Sequence, residues 1–188
     1  LYNMQDMPIY KLENLAYHQA IPGHHTQIAI ALEVEGMPSF RKYGGYSVFS
    51  EGWALYSETL PKEIGLYEDP YSDFGRLSGE LWRACRLVVD TGIHHYRWTR
   101  EEGIDYYMSN TANPEGDCVG MVERHIVWPG QAVSYKIGML KIQELRAYAE
   151  LSLGTKFSLQ SFHDVVLKNG GVSMDILQDI VYQWVENQ

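Results

Sequence analysis

Three of the seven histidines fall within eight residues, in the stretch Tyr17-His18-Gln19-Ala20-Ile21-Pro22-Gly23-His24-His25. Imidazoles this close, with a carboxylate in reach, are the raw material of a shared metal site. In a zinc peptidase helix, two histidines at i and i+4 face the same way and hold one ion. Here the i+4 position from His18 is Pro22, so that simple template fails. On an unbroken helix His24 would lie about 120° around the axis, and His25 roughly 10 Å along it. Only a break could bring His18 together with His24 or His25. Pro22-Gly23 supplies one, because Pro removes a donor and clashes with the previous turn while Gly permits unusual backbone. Spacing alone favours the plainer reading, three buried histidines tied to backbone carbonyls beside a Pro-Gly kink, because the intact motif is absent.

Further along comes Ser50-Glu51-Gly52-Trp53-Ala54-Leu55-Tyr56-Ser57-Glu58. Glu51 and Glu58 are seven apart and share one helix face. A carboxylate on a second helix is what a His-His-Glu zinc site requires. Glu51, beside Gly52 and Trp53, is expected to be buried, and a buried carboxylate needs a cation. Glu58 is expected to be a solvated charge near the helix end. Arg86, Asp90 and His94, spaced by four, make a polar stripe on an otherwise apolar helix. The stripe is either an internal ion-pair ladder or a face turned toward the site. In the second case Arg86 could bind a substrate carboxylate by its fork, and Asp90 could orient an imidazole. His125 and His163 read as structural histidines, and Cys85 and Cys118 as ordinary thiols.

The elements that must position these groups read as helices. Met139, Leu140, Ile142, Leu145, Tyr148, Ala149 and Leu151 recur at three and four residues, giving a helix over 130–153 stopped by Gly154. Leu159–Lys168 is a second, with Ser158 as its cap, and Ser173 caps a last one through Trp184. Ser72 or Asp73 opens a long helix to about Gly92, Thr99–Glu102 forms a capping box, and Ser47–Leu60 ends at Pro61. Only Tyr46–Phe49 hints at alternation. The chain is therefore expected to be all-α, a single helical region over residues 1–188.

The 188 residues suffice for one buried core. Fifteen Lys+Arg against 24 Asp+Glu give a net charge of -9, with no basic run longer than Arg41-Lys42. Both facts argue against nucleic acid and against anionic membrane surfaces. The longest apolar stretches, such as Leu87-Val88-Val89, fall far short of a spanning helix. Two cysteines make no disulfide framework.

His18-Gln19-Ala20-Ile21-Pro22-Gly23-His24-His25 with Glu51-Gly52-Trp53-Ala54-Leu55-Tyr56 resembles the paired signatures of the bacterial domain-of-unknown-function family 885. The strings Trp82–His94 and Trp128–Gly138 resemble that family too, so the likeness covers nearly the whole chain. It implies a zincin-like, largely helical metallopeptidase architecture with a kinked metal-binding helix. It implies zinc on His18, His24 and Glu51, with His25 contacting substrate or supporting the ligands. It implies an oxyanion-stabilising Tyr135, because Ser134-Tyr135-Lys136 resembles the corresponding stretch of helical zinc peptidases. It further implies hydrolysis of peptides or small amides, carboxypeptidase-like, in an exported or lipid-anchored bacterial protein longer than this chain. One departure stands out. Where the family pattern has the general-base Glu, this chain has Gln19, and an amide can hold a water but cannot take its proton. A catalytically silent metal- or peptide-binding protein is the alternative. With the metal helix so near Leu1, one wall of the cleft is expected from another segment or a second copy.

Overall fold

The structure is a computed structural model that describes residues 7–188. After a 3-10 turn at Ile9–Lys11, eleven helices follow: α1 (Leu12–Gln19), α2 (His24–Glu33), α3 (Ser39–Tyr43), α4 (Ser47–Ser57), α5 (Leu60–Glu63), α6 (Pro70–His94), α7 (Arg100–Asn110), α8 (Glu115–Val127), α9 (Ser134–Leu153), α10 (Leu159–Leu167) and α11 (Met174–Glu186). No strand occurs among the described residues, and Tyr46–Phe49 is the entry to α4.

Local chemistry explains most boundaries. The Thr99 hydroxyl accepts from Glu102 N–H while the Glu102 carboxylate accepts from Thr99 N–H, closing the capping box of α7. Ser158 and Ser173 cap α10 and α11 through Ser161 N–H and Ile176 N–H. Gly154, at φ 52°, ends α9. Three expected boundaries move. α9 begins at Ser134 and not at residue 130, since residues 129–133 form turns ahead of it. α6 begins at Pro70, not at Ser72 or Asp73: Asp69 caps it by accepting from Tyr71 N–H, and Pro70 fits the first turn, where its missing N–H costs nothing. α4 stops at Ser57, and Pro61 falls in the first turn of the short α5 for the same reason instead of ending a helix.

Two apolar clusters hold the helices together. One joins α4, α9, α10 and α11 around Phe49, Trp53, Met139, Ile142, Phe162 and Leu177. The other joins α6, α7 and α8 around Trp82, Val89, Tyr107 and Val122. α4 and α9 meet through two glycines. A Cβ on Gly52 would lie 2.5 Å from the Gly138 Cα, and one on Gly138 would lie 2.0 Å from the Val48 carbonyl oxygen. Only glycine admits backbones this close, and the contact brings α4, which carries Glu51, against α9, which carries Tyr135.

Candidate metal centre

α1 ends at Gln19 and α2 begins at His24, so the histidine-bearing segment is two helices joined by a sharp break. Gly23 makes the break possible: a Cβ there would lie 1.9 Å from the His18 carbonyl oxygen and 2.4 Å from that of Tyr17. The turn is pinned from α4, where the Trp53 indole N–H donates to the Pro22 carbonyl at 2.9 Å. The result folds His24 back onto His18, with ring centroids 4.8 Å apart and the planes nearly perpendicular.

Glu51 meets both rings. Its Oε2 lies 3.2 Å from His24 Nε2 and 3.7 Å from His18 Nε2. The three donor atoms all lie within 4.8 Å of one another, the one group of three such donors found among the described residues. Ligands on one tetrahedral zinc, each at about 2.0–2.1 Å, stand roughly 3.3 Å apart. Two imidazole nitrogens and a carboxylate oxygen therefore fit the ion in kind, and the two Glu51 separations of 3.2 and 3.7 Å lie near that spacing. His25, the other histidine the spacing allowed, is exposed and lies outside the group.

Each imidazole is oriented from behind. His18, 3% exposed, donates from Nδ1 to Glu58 Oε1 at 2.7 Å, which leaves Nε2 facing Glu51. Glu58 is not a solvated charge. It is 1% exposed, receives Asn14 Nδ2–H at 3.2 Å, and lies 3.5 Å from an Arg83 guanidinium nitrogen. The sequence reading placed it at a helix end and so in water, but α1 and α6 close over it. The His24 Nδ1 lies 3.3 Å from the Ser50 hydroxyl. Burial opposes charge on His18 and Glu51 alike, yet their mutual hydrogen bonds prevail. The Glu58 and Glu51 carboxylates raise the His18 pKa, and hydrogen bonds from His18 and His24 hold the Glu51 carboxyl far below the usual range.

Tyr135, near the start of α9, stacks alongside His18 at 6.4 Å between centroids, and its hydroxyl accepts from Gln131 Nε2 at 3.3 Å. Arg86 lies over the other part of this neighbourhood, 4.5 Å from the Tyr135 centroid. It is 8% exposed, and no carboxylate among the described residues lies within ion-pair distance of it. The stripe on α6 therefore divides. Arg86 turns toward the site, whereas Asp90 orients no imidazole there: its carboxylate accepts from Gly130 N–H at 3.2 and 3.3 Å and holds the turn that launches α9. His94 Nε2 donates to the His125 carbonyl at 2.8 Å, away from the histidine pair. Gln19, the last residue of α1, is exposed.

Over residues 1–181 the chain matches the family described as "Bacterial protein of unknown function (DUF885)". It belongs to that family. A solved protein described as "the putative lipoprotein from Colwellia psychrerythraea" is 50% identical, with a TM-score of 0.97 over 100% of this chain and 32% of its own. A second, "a putative lipoprotein of unknown function from Shewanella oneidensis", is 26% identical, with a TM-score of 0.85 over 93% of this chain and 32% of its own. The chain thus spans about a third of the length of these solved family relatives. A comparison with curated proteins finds no match.

The sequence reading named His18, His24, Glu51, Tyr135 and Arg86, and these lie together. It missed Glu58, Ser50, Asn14 and Gln131. For Glu58 a signal existed in its seven-residue spacing from Glu51; for the other three, none did.

Proposed function

We propose that the chain is the metal-binding part of a zincin-like peptidase, holding zinc on His18, His24 and Glu51 and hydrolysing peptide bonds or small amides. The observation that carries this reading is the convergence of three zinc-type donors whose two imidazoles each have an orienting partner. Such orienting contacts fix the tautomer and ring plane that a metal needs. A structural histidine also takes a hydrogen-bond partner, as His125 and His163 do; what supports a metal here is the Glu51 carboxylate facing the Nε2 atoms of both rings.

When bound, zinc would supply a Lewis acid for the scissile carbonyl and lower the pKa of a water. The protein's own groups do the rest. Glu58 holds the His18 Nδ1 proton in place and keeps Nε2 as a lone-pair donor. Tyr135, steadied by Gln131, offers a phenolic O–H to the oxygen on which negative charge develops, and the uncompensated Arg86 guanidinium makes that region positive. Carboxypeptidase-like specificity rests on the resemblance to helical carboxypeptidases alone. The lipoprotein descriptions of the two relatives support a setting at the bacterial envelope.

Gln19 sets the activity. It stands where the family pattern has Glu, and its amide accepts no proton from a water. Turnover of this chain should sit about 10²–10⁴-fold below that of a Gln19→Glu variant, the usual worth of a general base. Hydrolysis of a peptide library by both proteins, each loaded with zinc, tests this. A gain of that order supports a peptidase blunted at one residue. No gain would instead favour the second reading, a catalytically silent metal- or peptide-binding protein, which Gln19 itself motivates.

A further inference from the structure

Beside the candidate metal centre, α2, α3 and the start of α4 enclose a cavity of about 480 Å³ that opens onto Glu51. That volume suits a side chain or a chain end. Ala31, Leu32 and Phe49 give it an apolar wall, and Arg41 and Lys42 stand together at its edge. Eight of the other thirteen Lys and Arg side chains pair with a carboxylate, as Lys62 does with Asp73, Lys136 with Glu80 and Arg146 with Glu63. Among the described residues no carboxylate lies within ion-pair distance of Arg41 or Lys42.

Arg41 is held from behind. Its guanidinium donates to the Asn169 carbonyl, while its buried Nε has no partner. On the same lining, Gln27 is 8% exposed and its Oε1 has no hydrogen-bond partner. A buried amide oxygen left without a donor is costly unless something arrives to use it. Two unmatched cations, an orphaned acceptor and an apolar wall thus share one cavity adjoining a metal-ligand candidate.

We propose that this cavity is a substrate subsite for a carboxylate-bearing group next to the bond presented to His18, His24 and Glu51. Arg41 and Lys42 receive the carboxylate, the Gln27 amide oxygen accepts a neighbouring peptide N–H, and Leu32 and Phe49 cover the intervening carbons. The carboxylate belongs either to a chain end or to an acidic side chain. The inference rests on the peptide-processing reading above and names the substrate class of that same site.

Gln19 allows the test to be made by binding rather than turnover. Calorimetry with acetylated tetra-alanine as the free acid, as the C-terminal amide, and as an amide with glutamate in the last position separates the two sources. At least one carboxylate-bearing peptide should bind roughly 10- to 100-fold more tightly than the plain amide, the worth of a charge-assisted hydrogen bond. Tight binding by the free acid alone assigns the chain end; tight binding by the glutamate amide assigns the side chain. The preference should persist in zinc-free protein and fall toward unity in Lys42→Glu, a half-buried position whose reversal leaves the core intact. Equal binding of all three peptides overturns the subsite and leaves the metal centre standing. So does a preference that disappears with the zinc, since the carboxylate would then be ligating the ion. No binding of any peptide to zinc-loaded protein overturns the peptide-processing reading as well.

Discussion

Glu51 and Glu58 share a helix face, a residue type and a spacing, yet they stand in different places. Glu51 sits at the seam of α4 and α9 and meets two Nε2 atoms, whereas Glu58 lies beyond the last turn of α4 and meets one Nδ1. The ligand candidates could be read from sequence because metal donors are few in kind and the His18–His25 and Glu51–Tyr56 strings resemble a family's signatures, although spacing around Pro22-Gly23 alone did not decide it. The orienting residues could not. Asn14, Arg83 and Tyr67 close over Glu58 from three separate elements, and only tertiary packing brings them there. Glu58→Gln should therefore weaken zinc binding by about 10–100-fold without changing its stoichiometry. Competition with a chelator of known affinity measures this, and an unaltered affinity would contradict the role given to Glu58. At the same scale, His24→Ala should abolish stoichiometric zinc while His25→Ala leaves it in place.

Elements were legible wherever their ends carry their own chemistry. Thr99, Ser158, Ser173 and Gly154 mark boundaries that appear as read. α6 started two residues before the first candidate cap, because Pro70 was taken as punctuation between elements when it is the first residue of one. α8 escaped notice altogether: Pro114 offers no side-chain cap, and Gly116 and Gly120 dilute its pattern. The close pairing of α4 with α9 was equally hidden, since nothing local distinguishes Gly52 and Gly138 from other glycines. Replacing either by Ala should force the backbones apart and cost about 1–3 kcal/mol, as overpacking does. Gly120, with nothing within 4 Å of its would-be Cβ, is the control: Gly120→Ala should add about 0.5–1 kcal/mol. Urea unfolding of the three variants decides it. A Gly52→Ala protein as stable as the parent would show that the seam is not the tight contact described.

At the scale of the molecule, each of the two apolar clusters has a histidine hydrogen-bonded at its edge, and both titrate. Burial, helped by the nearby Arg86 charge, pushes the His125 pKa down to about 4; burial with the Arg146 charge does the same for His163. Their partners are the hydroxyls of Tyr107 and Tyr56, at 2.7 and 2.9 Å. In the unfolded chain both would titrate near 6.5. Between about 4 and 6.5 the unfolded state then binds more protons, so the stability these groups permit above pH 6.5 is lost as pH falls toward 4. His18, whose pKa is raised, acts in the opposite sense, so the comparison belongs between the parent and His125→Gln. That variant keeps a polar group for Tyr107 without titrating, and it should lose stability less steeply between pH 7 and 5. An unchanged slope would mean His125 is not the buried neutral group its surroundings indicate. Against a net charge of -9, Arg41, Lys42 and Arg86 stand near the candidate site with no carboxylate partner among the described residues. α6 also leaves Phe74, Leu77, Leu81 and Val88 exposed.

The proposed hydrolysis depends on His18, His24 and Glu51 holding a metal, and elemental analysis addresses that directly. Protein refolded or dialysed with Zn²⁺ and then passed through metal-free buffer should retain one zinc per chain. It should melt at a higher temperature than the chelator-treated form, because an ion bound only by the folded state stabilises it. Glu51→Gln should lose both the zinc and the shift. A parent protein that retains no stoichiometric zinc, and melts at the same temperature with and without it, would contradict the account.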